Sequence, residues 1–216
     1  MKLKNLIYLL AICLLASSCD EVNINASGPI ITEDRTVATF TSINSSLPGN
    51  IIVSQGQDQQ LSIVTHSNVL DHIESKVVNG VLELEIKGSI RNLDQLDIYI
   101  TAPDFEEFRL SGAAKLNTES CLELDDLEVH LSGATSTNLC GLLENLTLHL
   151  SGASSFRGYD LMAQDVNVYI SGAGEARVMA NELLDVNISG AAKVRYKGNP
   201  EIRSDISGAG SLVNDN

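Results

Sequence analysis

The tripeptide Ser-Gly-Ala occurs at Ser111, Ser132, Ser151, Ser171, Ser189 and Ser207, at spacings of 21, 19, 20, 18 and 18 residues. A period this short cannot hold a strand-helix-strand unit, which takes about 30 residues. It fits a coil of two or three short strands with tight corners. Such coils stack into parallel sheets whose backbone hydrogen bonds run from one coil to the next.

Each tripeptide closes an alternating apolar run: Phe108–Leu110, Val129–Leu131, Leu148–Leu150, Val168–Ile170, Val186–Ile188 and the weaker Ser204–Ile206. Alternation on a strand sends the end residues inward and the middle residue outward. The inward stack is then Leu110, Leu131, Leu150, Ile170, Ile188 and Ile206, and the outward one is Arg109, His130, His149, Tyr169, Asn187 and Asp205. In each tripeptide, glycine allows a corner conformation that a Cβ would hinder. Alanine is expected to fill a narrow interior corner, with the serine hydroxyls forming a ladder. The serines lack a histidine or lysine at a fixed offset, so nothing would activate them as nucleophiles.

Residues 37–102 alternate with period two in Val37–Thr41, Asn50–Ser54, Gln60–Thr65, Ser75–Val78, Val81–Lys87 and Asp97–Thr101, each read as a strand. Asn79-Gly80 predicts a tight hairpin, and Ser67–Ile73 a single helical turn. The expected fold is all-β: an N-terminal β-rich segment over 37–102, continuous with or capping a right-handed parallel β-helix of about six coils over 103–216.

The chain opens with Lys2 and Lys4, an apolar run from Leu6 to Ala16, and then Ser17-Ser18-Cys19. That run is too short to span a bilayer, which takes about 20 residues, and reads as a signal peptide over 1–18. Leu15-Ala16-Ser17-Ser18-Cys19 resembles a bacterial lipobox, which implies a lipid on Cys19 and residues 19–36 as a tether. The expected location is the outer membrane, facing the periplasm or the surface. The net charge is −14, or −16 once Lys2 and Lys4 are removed, which argues against nucleic-acid binding.

The run Tyr99-Ile-Thr-Ala-Pro-Asp-Phe-Glu-Glu-Phe-Arg-Leu-Ser-Gly-Ala113, followed by the repeated Leu/Ile-Ser-Gly-Ala, resembles the head GIN-domain family, labelled autotransporter adhesins and common in Bacteroidetes. The resemblance covers roughly residues 38–210 and includes Asn79-Gly80-Val81-Leu82-Glu83-Leu84. It implies a β-helix and offers no catalytic residue or cofactor to carry over.

Cys121 and Cys140 each lie eleven residues before a repeat serine, so they share a station on consecutive coils. Adjacent strands about 4.8 Å apart permit a disulfide, and a buried pair of free thiols is the alternative. His130, His149 and Glu128, beside Thr147, could hold zinc, but the ladder continues as Tyr169 and Asn187 without a further good ligand, so no metal site is expected. Asp125-Asp126 reads as a corner and not as the carboxylate pair of a polysaccharide-cleaving cleft. The functional expectation is a non-catalytic binding or adhesion module. Its candidate ligand-facing ladder is Arg109, His130, His149 and Tyr169, and its ligand a glycan or protein. The alternatives are a self-associating envelope scaffold, with a homo-oligomer as partner, and a polysaccharide-processing enzyme.

Overall fold

The structure, a computed structural model, describes residues 23–216. The expected signal peptide over 1–18 and the expected lipidation site, Cys19, lie outside the described residues. In the N-terminal part the strands are β1 (Asn23–Asn25), β2 (Ile30–Asp34), β3 (Ser42–Ser45), β4 (Gly49–Gln55), β5 (Gln60–His66), β6 (Ile73–Val78), β7 (Val81–Ile86), β8 (Ser89–Arg91) and β9 (Leu96–Ala102). One short helix, α1 (Ser67–Leu70), interrupts them and buries Val69 and Leu70. The solenoid follows as β10 (Glu107–Leu110), β11 (Ala114–Thr118), β12 (Leu122–Leu131), β13 (Ser136–Gly152), β14 (Ser155–Gly172), β15 (Glu175–Gly190), β16 (Lys193–Lys197), β17 (Glu201–Gly208) and β18 (Ser211–Asn214).

Every strand pairing in the solenoid is parallel, and the repeat sets the register: Leu131 pairs with Leu150, Leu150 with Ile170, and Ile170 with Ile188. Like residues therefore stack in columns through a dry interior. Leu127, Leu146, Val166 and Leu184 form one buried column, and Phe108, Val129, Leu148, Val168 and Val186 another. Each such side chain contributes roughly 1.5–3 kcal/mol by leaving water. The solenoid makes about 5 turns, one fewer than the six expected, because six tripeptides bound five intervals.

The N-terminal segment both supplies rungs and closes the end. Strands β3 and β4 pair in parallel with β10 and β11, and on their other side with β7 and β9. Antiparallel pairings then finish the sheet, β6 on β7 and β5 on β9, with β2 on β5. The β6–β7 turn has positive φ at both Asn79 (52°) and Gly80 (80°), as an Asn-Gly hairpin requires.

Four expectations are corrected here. Residues 23–36 are not tether: β1 pairs with β8 in a small sheet of two strands, β2 pairs with β5 in the main sheet, and Ile24 is buried, so this polar stretch is held through backbone hydrogen bonds its composition does not advertise. Val37–Thr41 is not a strand, and the pairing begins at Ser42, where the chain meets both Val81 and Glu107. The tripeptide alanines, Ala113, Ala134, Ala153, Ala173, Ala191 and Ala209, are exposed. The inward corner falls to the following residue, Ala114, Thr135, Ser154, Gly174 or Ala192, four beyond the buried strand end, so that period-two parity carries through the left-handed glycine and turns the alanine outward. Finally, Ile206 is 38% exposed, since β17 pairs only with β15 and no further rung covers it.

Candidate functional site

One sheet presents three outward columns side by side. The central one runs Glu83, Asn44, Arg109, His130, His149, Tyr169, Asn187 and Asp205, in register across eight strands. Beside it lie Ser42, Glu107, Glu128, Thr147, Asn167 and Asp185. On the other side are the repeat serines. Their hydroxyls face back to the preceding rung at long hydrogen-bond distances: Ser111 Oγ to Ser45 O and Ser132 Oγ to Leu110 O at 3.5 Å, Ser151 Oγ to Leu131 O at 3.4 Å, and Ser207 Oγ to Ile188 O at 3.2 Å. Ser171 and Ser189 continue the same column.

The rung repeat stacks the aromatic side chains. The rings of His130 and His149 lie 4.6 Å apart and within 11° of parallel, and those of His149 and Tyr169 lie 4.9 Å apart within 10°. Their faces cover one another and their edges stay partly exposed, with the side chains of His130 and His149 at 32% and 39%. An open groove of about 450 Å3 follows these edges, lined by Arg109, His130, His149, Tyr169, Asn187 and the serines. The four residues expected to form a ligand-facing ladder thus line one groove.

Carboxylates gather at one end of this stack. Glu128 Oε1 accepts from His130 Nε2 at 2.7 Å and lies 3.4 Å from His149 Nε2, while Glu107 Oε1 is 3.2 Å from His130 Nε2. Arg109 Nε in turn donates to Glu107. Partial burial, reinforced by the neighbouring His130, lowers the His149 pKa from its ordinary value and keeps that ring neutral.

Elsewhere, Cys121 and Cys140 form a disulfide across adjacent coils, with Cα atoms 4.6 Å apart. Asp125 and Asp126 are both exposed, the β12–β13 register runs unshifted past them, and Asn145 Nδ2 donates to Asp126 at 2.7 Å. They share a shallow recess with Asp104, Glu106 and Glu123.

A second column was not among the expected site residues. Arg157, Arg177 and Arg195 stack on consecutive rungs at a different station of the solenoid. Its signal is present in the sequence, since each arginine follows its repeat serine by six residues. Glu175 pairs with Arg177 at 3.2 Å and with Arg195 at 3.4 Å, and Asp215 holds Arg195 at 3.0 Å, so two of the three guanidinium groups are neutralised locally.

A family model described as "Putative auto-transporter adhesin, head GIN domain" matches residues 39–200. A crystal structure of a "putative adhesin" from Bacteroides fragilis is similar to this chain, with 26% identity, a TM-score of 0.75, and coverage of 88% of this chain and 99% of the other. A protein from Parabacteroides distasonis described as a "Putative lipid binding protein" shares the fold at 18% identity and a TM-score of 0.60, covering 90% of this chain and 100% of the other. A "putative adhesin" from Parabacteroides merdae shares it at 16% identity and a TM-score of 0.55, covering 90% and 99%. No curated protein matches the chain.

Proposed function

This chain belongs to the head GIN-domain family, and on that premise we propose that it is a non-catalytic binding or adhesion module held to the outer membrane by lipid on Cys19. Family membership points to a cell-envelope or surface location, and no helix among the described residues is long and apolar enough to cross a membrane. The observation that carries the reading is the groove along Arg109, His130, His149 and Tyr169. Rungs about 4.8 Å apart offer ring edges, hydroxyls and a guanidinium at a constant repeat. A surface of that kind suits an extended polar chain, so the ligand assigned is a glycan, with a host or envelope protein as the other outcome.

Binding of the full, untagged chain to arrays of neutral and acidic glycans and to matrix proteins tests this. The Arg109→Ala/Tyr169→Ala double variant is expected to lose at least tenfold in affinity. Undiminished binding by that variant, or no binding to any glycan or protein on the array, would refute the assignment. Globomycin should cause unprocessed precursor to accumulate, and normal processing in its presence would remove the lipid anchor.

A second reading, self-association into an envelope scaffold, is favoured by β17, whose outer edge is unpaired and where Ile202 and Ile206 are 42% and 38% exposed. Light scattering that shows mass rising with concentration would favour it, and a constant monomer mass would end it.

A further inference from the structure

We propose that Glu128, His130 and His149 form a binding site for a divalent cation of the zinc class, with Glu107 as an additional oxygen ligand. This does not rest on the adhesion reading, because the cation can be measured with no other ligand present.

The spacing of rungs brings the donors together. His130 and His149 occupy the same station on neighbouring strands, and Glu128 stands two residues before His130 on the same face. Parallel register therefore brings three side chains from two rungs to one point, and from a third rung Glu107 Oε1 comes within 3.2 Å of His130 Nε2. One donor atom from each of Glu128, His130 and His149 lies within 4.8 Å of the others. Tetrahedral zinc bonds of about 2.0–2.2 Å place donors roughly 3.4 Å apart. Glu128 Oε1 already stands 2.7 Å from His130 Nε2 and 3.4 Å from His149 Nε2. The remaining adjustment is a rotation of two imidazoles out of their parallel stack, toward the exposed side that their 32% and 39% accessibility leaves open.

The donor set selects the metal. Two imidazoles with one or two carboxylates suit zinc and its first-row neighbours, whereas calcium and magnesium take oxygen ligands throughout. Without the cation, His130 Nε2, which donates to Glu128, carries a proton. With it, the ring proton sits on Nδ1 and both Nε2 lone pairs face the metal. Arg109, beside Glu107, holds that carboxylate toward His130 and forms the outer shell. With Glu107 bound, four protein donors complete a tetrahedral shell, and water or a hydroxyl of a bound ligand enters from the groove as a fifth ligand or in place of Glu107.

Along the central column no further good ligand follows His149, since Tyr169 and Asn187 come next, and for that reason the sequence predicts no metal here. The neighbouring column supplies the missing ligand from the preceding rung, at Glu107.

The test is a zinc titration of the full chain without a polyhistidine tag, stripped with EDTA, by isothermal calorimetry and by competition with a chromophoric chelator. One zinc per chain at micromolar or tighter affinity is expected, with the His130→Ala and Glu128→Gln variants each weakening it at least tenfold. Thermal melts in EDTA show whether each variant remains folded. His149→Asn serves as a second imidazole variant, since it keeps a polar side chain in the column. Absence of saturable zinc, or stoichiometric zinc retained by a folded His130→Ala/His149→Asn chain, overturns the proposal.

Discussion

At the scale of single residues, the repeat glycine meets two separate demands. Gly152 has φ +69°, and a Cβ built on it would lie 2.8 Å from Gly133 O of the neighbouring rung. Gly80, in the hairpin, has a similar φ of +80° but nothing within 4 Å. Alanine at Gly80 therefore costs only the left-handed backbone, about 1 kcal/mol. Alanine at Gly152 must in addition push two rungs apart, and is expected to cost at least about 2 kcal/mol more. Thermal melts of the two variants check this, and equal losses would show that backbone conformation alone explains the repeat glycine.

At the scale of elements, the columns are legible in the sequence because the tripeptide fixes register. Once Ser132, Ser151 and Ser171 align, counting backwards places Leu131 on Leu150 and His130 on His149. The same counting finds the shared station of Cys121 and Cys140, whose disulfide closes a separation of 19 residues. A crosslink over such a loop contributes about 3 kcal/mol. Reduction, or the Cys121→Ser/Cys140→Ser double variant, should lower stability by that amount in denaturant titrations, and unchanged midpoints would show that the coils hold without it. Size alone misleads at the corner: a small alanine reads as interior filler, whereas counting on by twos from Leu150 turns Ala153 outward and buries Ser154, as the structure has it. Counting fails for β2, where Ile30 and Ile31 are each 43% exposed and the pairing with β5 leaves no apolar face to see. In the site, the ring ladder can be read along one column, whereas the approach of Glu107 depends on the neighbouring column and the previous rung.

At the scale of the whole molecule, the two ends of the solenoid are finished differently. The N-terminal end is closed by antiparallel strands and α1. The C-terminal end is tied down by side chains: Tyr159 donates to Asp215 at 2.6 Å, Arg195 holds the same carboxylate at 3.0 Å, and Lys197 lies 4.8 Å over the Tyr159 ring. Desolvation, and then the bond to Asp215, push the Tyr159 pKa up to about 12. Because the folded value is raised, the stabilisation is complete below about pH 10, where an unfolded tyrosine titrates, and is lost as pH rises toward 12. The stability of the native chain should therefore fall more steeply over that window than that of Tyr159→Phe, measured by circular dichroism melts. Parallel curves would mean that the tie does not titrate with the fold.

The order of rungs differs from the order of the chain. Strands β3 and β4 precede β7 and β9 in the chain, yet they sit one rung inside them, with β10 and β11 on their other flank. As synthesis proceeds from the N-terminus, Ser42–Ser45 must wait for Val81 to cover one edge and Glu107 to cover the other. Throughout that interval it is a strand open on both sides, the form most ready to pair with another chain. The stage at which this molecule most needs a holding chaperone is thus its birth, before the first complete rung exists.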